Sequence, residues 1–116
     1  MAKTKKPKSF LVTFHSGAAA AKKMKDAKPP EMQAMMQAWM EWAEKCGSNL
    51  TDMGAPLQNG INLKATGTAT VSSRKVSGYS MLSADTMAQA KKLLKGHPHL
   101  SWARGCEIEV HEVKPM

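Results

Sequence analysis

Pro29-Pro30-Glu31-Met32-Gln33-Ala34-Met35-Met36-Gln37-Ala38-Trp39-Met40-Glu41-Trp42-Ala43-Glu44-Lys45-Cys46-Gly47 is the stretch on which the fold turns. Proline suits a first helical turn, where N–H groups lack partners anyway, and Glu31 meets the positive end of the helix dipole. Counted from Met32, the residues Met35, Met36, Trp39, Met40, Ala43 and Cys46 fall at offsets 3, 4, 7, 8, 11 and 14. That spacing places them on one continuous apolar face of a helix. Gly47 is suited to end the helix in a left-handed conformation. The methionines read as core or interface filling, because a flexible thioether adapts to irregular surfaces. Trp42 falls outside the stripe and reads as a subunit contact or pocket wall.

Working outward, Phe10-Leu11-Val12-Thr13-Phe14-His15 is rich in β-branched and aromatic residues and predicts a strand buried on both sides. Ser16-Gly17 ends it. Ala18 to Lys28 has helix formers but little apolar periodicity, so it reads as a loop or a short frayed helix, and as a candidate lid. Downstream, Asn49 to Met53 predicts a second strand, left through Gly54-Ala55-Pro56-Leu57, and Asn59-Gly60 a turn. Thr66, Thr68 and Thr70 alternate with small residues up to Val71. Further turns at Arg74-Lys75 and Ser77-Gly78 precede a short strand from Tyr79 to Leu82. Asp85 is an apt N-cap for a second helix with Met87, Ala90, Leu93 and Leu94 inward, closed by Gly96. Cys106, Ile108 and Val110 alternate with Glu107, Glu109 and His111 in a last, amphipathic strand.

The order β-α-β-β-β-α-β predicts an α+β domain, a ferredoxin-like split βαβ with an antiparallel sheet. Helices on one face leave the other needing a cover, and a second copy of the chain is the simplest one. With 116 residues there is material for one core, and 42% hydrophobic content supports a folded globule. The expected boundaries are a basic mobile tail over residues 1–8 and a single domain over 9–116. No apolar run approaches the roughly 20 residues that span a bilayer, and the stretch behind the basic N-terminus is too short for a secretory signal. A cytoplasmic protein with no membrane partner is expected. Two cysteines, Cys46 and Cys106, make no disulfide framework and read as buried thiols.

The net charge of +8 is unevenly placed: residues 1–28 carry +7 and residues 29–116 only +1. The body is nearly neutral. No aromatics interleave with the N-terminal lysines to stack bases, which argues against specific nucleic-acid binding. A glycine-rich phosphate cradle, a nucleophile elbow and an HExxH motif are all absent, so nucleotide, serine-hydrolase and zinc-protease readings have no support.

Gly78-Tyr79-Ser80-Met81-Leu82, an Asp-led helix, Gly96-His97-Pro98-His99-Leu100, Glu107-Ile108-Glu109-Val110 and the final Lys114-Pro115-Met116 together resemble YCII-related domain proteins. His15-Ser16-Gly17 after the first strand, and Trp39-Met40 followed by Gly54-Ala55-Pro56-Leu57, fit the same pattern, so the resemblance covers residues 9–116. It implies a dimeric α/β barrel, two ferredoxin-like units packed sheet to sheet. It also implies a superfamily of cofactor-free monooxygenases, isomerases and lyases with a pocket between sheet and helices. The Asp-Gly-Pro-Phe signature of one large branch is replaced by Thr66-Gly67-Thr68-Ala69. Residues 30–46 contain no histidine to supply the His–Asp pair suspected in catalytic members. Where many members have cysteine before the proline, this chain has His97.

From the residues themselves, His15 and Asp52 are the catalytic candidates. An imidazole at a strand end can shuttle a proton near neutral pH, and a carboxylate in an otherwise uncharged segment could orient it. Their plainer readings are a hydrogen-bonded strand-end histidine and a turn-capping aspartate. Trp39, Met36, His97 and His99 are pocket candidates. His97 and His99 have a spacing compatible with metal binding but lack a third ligand, so no metal and no cofactor are expected. The expected partners are a second copy and a small organic ligand. Two functions remain open, a cofactor-free acid–base enzyme (isomerase, lyase or oxygenase type) and a non-catalytic binding module.

Overall fold

Phe10, Val12 and Phe14 are 2% exposed or less, whereas Leu11, Thr13 and His15, which alternate with them, are only half-buried. This strand, β1 (Lys8–His15), is therefore covered on one face and partly open on the other, not sealed on both as its composition suggests. The computed structural model describes residues 7–115. The expected basic tail lies mostly outside them. Within them, Lys8 already belongs to β1, opposite Ala84, with its ammonium 3.5 Å from Glu112.

The chain is α+β. After β1 come the helices α1 (Ala18–Asp26) and α2 (Pro29–Cys46). The strands β2 (Leu50–Pro56), β3 (Ile61–Leu63), β4 (Ala69–Val71) and β5 (Val76–Ala84) follow. Two helices, α3 (Met87–Leu94) and α4 (Pro98–Trp102), and the strand β6 (Glu107–Glu112) complete it. The main sheet has the order β2-β5-β1-β6 with every pair antiparallel, and β3 and β4 form a separate two-stranded sheet. That order is compatible with ferredoxin-like connectivity. The molecule measures 56 × 46 × 19 Å. A thickness of that size accommodates one sheet and one helix layer at about 10 Å each, so among the described residues no layer covers the second sheet face.

The core lies between that sheet and α2 and α3: Phe10, Val12, Phe14, Leu82 and Ala84 pack against Trp42, Cys46, Ala90 and Leu94. The inward seam of α2 is displaced from the one expected. Trp42 and Cys46 are 5% and 4% exposed, while Met36 and Met40 are 65% and 58% exposed. Counting apolar positions weighs methionine and tryptophan equally. The indoles bury more surface, and they take the interior. Trp42 then needs a partner for its N–H, which the Leu93 carbonyl supplies at 2.8 Å.

Other boundaries shift for local reasons. Ala18 to Asp26 is a full helix, held by Lys22–Asp26 pairing at 2.9 Å and by Lys23, which donates to the Trp102 carbonyl at 2.7 Å. The cap of α3 is Thr86, whose hydroxyl accepts from Gln89 N–H at 3.1 Å, and not Asp85. The Gln89 side chain turns back to accept from the Asp85 N–H at 2.7 Å. Ser77 and Gly78 lie inside β5, not in a turn. The threonine alternation forms only the short β4, paired with β3 beyond the main sheet.

Candidate functional site

Because β1 and β6 run antiparallel, Leu11 faces His111, Thr13 faces Glu109 and His15 faces Glu107. Directly opposed residues share a sheet face. The face they share is the one without helices, and it forms an open trough of about 810 Å³. Leu11, Thr13, His15, Glu109 and His111 form the floor, and Ser72, Arg74 and Lys75, from the segment before β5, line it as well.

His15 is the best-defined group there. Its Nδ1 lies 2.8 Å from the Arg74 carbonyl oxygen, which can only accept, so Nδ1 carries the proton. In the neutral ring the lone pair is therefore on Nε2, where the Thr13 hydroxyl donates at 2.9 Å. Glu109 Oε1 lies 3.9 Å from that nitrogen and accepts from His111 Nε2–H at 2.9 Å. The His111 hydrogen bond, and then the nearby positive character of His15, hold the Glu109 carboxyl below its usual range. The arrangement is a base of defined tautomer with a carboxylate beside it that would stabilise the imidazolium formed on proton uptake.

Asp52 does not join this group. It stands opposite Met81, which stands opposite Leu11. Four residues along and two strands across place it roughly 16 Å from His15. Its Oδ1 accepts from the Gly54 N–H at 2.8 Å, so it caps a turn within β2. Met36 is on the exposed side of α2.

Trp39, His97 and His99 do come together, but on the opposite side of the sheet from the trough, among the core aromatics. The His97 ring centroid is 4.4 Å from those of both Trp39 and Trp42 and 5.0 Å from that of Phe14. His97 caps α4, its Nδ1 accepting from the His99 N–H at 2.9 Å. Its Nε2 must then carry the proton, yet among the described residues neither it nor Trp39 Nε1 has a hydrogen-bond partner. Both indole rings stand steeply inclined to the imidazole, at 89° and 67°, in the T-shaped arrangement that aromatic pairs favour. Burial, reinforced by neighbouring His99, lowers the His97 pKa to about 3. His99 Nε2–H donates to the His15 carbonyl at 2.9 Å. The HxH pair is thus engaged within the fold, and among the described residues no group of three His, Cys, Asp or Glu is placed to hold a metal ion.

Thr13, Arg74, Glu109 and His111 were not singled out as site residues from the sequence. The alternation of β6 did mark Glu107, Glu109 and His111 as one wet or interface face. What it lacked was the neighbour, since the register between β1 and β6 spans about a hundred residues of chain. Among the described residues no helix is long and apolar enough to cross a membrane. Compared with protein-family models and with curated proteins, the chain matches neither a family model nor a curated sequence.

Proposed function

We propose that the chain is a YCII-like, cytoplasmic homodimer that binds a small organic acid. Two ferredoxin-like units pack their open sheet faces together as a dimeric α/β barrel, and the paired troughs become its cavity. In this reading His15 is the general base of cofactor-free acid–base chemistry, of isomerase, lyase or oxygenase type. Arg74 and Lys75 lend positive charge for a carboxylate. The observation that carries the proposal is the His15 ring: a backbone carbonyl fixes its tautomer and the reactive nitrogen faces the trough beside Glu109. Fixing the tautomer through the second nitrogen is how an imidazole is prepared for proton transfer.

A thermal-shift screen of small carboxylic acids and phenols, followed by proton NMR in deuterium oxide, tests it. Stabilisation by one compound class, with exchange of an acidic carbon-bound proton that disappears in His15→Gln, is the expected result. Exchange undiminished in His15→Gln would remove the histidine from the mechanism.

The non-catalytic module is a second reading, and one contact favours it. The Thr13 hydroxyl already donates to His15 Nε2 at 2.9 Å, occupying the lone pair that a base would use. Stabilisation by a ligand with no exchange or turnover would select this alternative.

A further inference from the structure

Every residue from 57 to 71 is exposed, although the segment includes Leu57, Ile61, Leu63 and Val71. It contains the β3–β4 hairpin, whose register sets Ile61 opposite Val71 and Leu63 opposite Ala69. Those four side chains share one side, and Asn62 and Thr70 share the other. Ile61, Leu63 and Val71 are 65%, 67% and 84% exposed. A two-stranded hairpin alone in water is marginally stable, and one with a bare apolar side lacks the layer that would stabilise it. At its root, Asn59 and Lys75 adopt φ of 58° and 59°, a left-handed conformation that costs non-glycine residues energy. Ser72, Arg74 and Lys75 at the same root line the trough, so the hairpin springs from the rim of the open sheet face.

We infer that this hairpin is a dimerisation arm whose Ile61, Leu63, Ala69 and Val71 side closes on a second copy of the chain. The inference rests on the sheet-to-sheet pairing proposed above and adds what makes it stable. Four strands at about 4.8 Å spacing and roughly 25 Å length present a flat footprint of about 480 Å² per copy, or roughly 960 Å² for two. Stable interfaces bury about 1,200–2,000 Å² of accessible surface in total, so the sheet faces alone stand near the lower end of that range. Three large side chains per arm, each removing on the order of 100 Å² from water, add roughly 600 Å² for two arms. A twofold axis gives both copies the same arm and the same receiving surface, so the contact closes without leaving an apolar side free for further copies.

Sedimentation equilibrium of three proteins tests this: the wild type, I61D/V71D on the apolar side, and N62D/T70D on the polar side, equal in added charge. The wild type should be a dimer, I61D/V71D should dissociate at least roughly 100-fold more readily, and N62D/T70D should stay close to the wild type. A wild type that is monomeric at every concentration removes both the barrel and the arm. A dimer equally strong in I61D/V71D removes the arm and leaves the barrel standing. Should I61D/V71D fail to fold, hydrogen exchange of residues 61–63 and 69–71 in the wild type decides. Protection that appears only at dimeric concentrations supports the arm, and equal exchange at all concentrations overturns it.

Discussion

His99 donates from Nε2–H to the main-chain carbonyl of His15 across 2.9 Å, tying the short helix α4 to the end of β1. The His15 side chain faces the trough, while its carbonyl is held from the helix side. His99→Ala leaves that carbonyl without its donor and opens space beside Phe14, whose ring is 5.3 Å from the His99 ring. A loss of about 2–4 kcal/mol is expected in urea unfolding, and His99→Gln, which keeps a donor, should lose less. Equal losses in the two variants would show that packing alone holds α4.

His97 makes stability depend on pH in a stated direction. In the unfolded chain it takes up a proton near 6.5, whereas burial keeps it neutral in the folded chain down to about 3. The folded state therefore binds fewer protons, and this contribution is complete above pH 6.5. It declines as pH falls from there toward 3, by about 1.4 kcal/mol per pH unit. Urea unfolding of wild type and His97→Phe at pH 7.5, 5.5 and 4.5 checks it. The wild type should lose stability more steeply, and parallel slopes would count against the assignment.

The cap of α3 is Thr86 and not the neighbouring Asp85 that the sequence favours. Thr86→Ala removes the acceptor for the Gln89 N–H and should cost about 1 kcal/mol. Asp85→Ala keeps the backbone N–H that donates to the Gln89 side chain and should change stability by less than about 0.5 kcal/mol. Thermal unfolding of the two variants reads the difference directly, and a larger loss in Asp85→Ala would refute the cap.

Gly54 is required where β2 bends toward β5. Its φ is +77°, and a Cβ there would collide with the Tyr79 carbonyl. Gly54→Ala should therefore displace β2 and cost about 3 kcal/mol or more, far above the usual effect of such a change in a strand. A loss below about 1 kcal/mol, measured by urea unfolding, would mean that the strand can shift without harm.

The candidate site shows how far residue patterns reach. His15 was legible because a histidine ending an apolar strand stands at a junction where chains open onto solvent. Glu109 and His111 were legible as one wet face of β6, but not as neighbours of His15, because strand pairing is a long-range relation. Asp52 follows the plainer of its two sequence readings: it caps its own turn and stays out of the His15 group. His97 and His99 resembled ligands by spacing, and only packing shows that one is sealed among indoles while the other bonds to a backbone carbonyl.

By itself, the order of residues determined what depends on near neighbours along the chain. That includes the long helix ended by Gly47, the alternation of β6 and the α+β class, but not the strand β3, the short helix α4 or the choice of helix over loop for Ala18–Asp26. Only tertiary structure decided which helix face turned inward, because Trp42 and Met36 compete for the interior by how well each fits the sheet. It also decided that His15, Glu109 and His111 meet while Asp52 stays apart. Local periodicity is set by backbone geometry over a few residues, whereas such meetings follow from strand register and from the surface that packing removes from water.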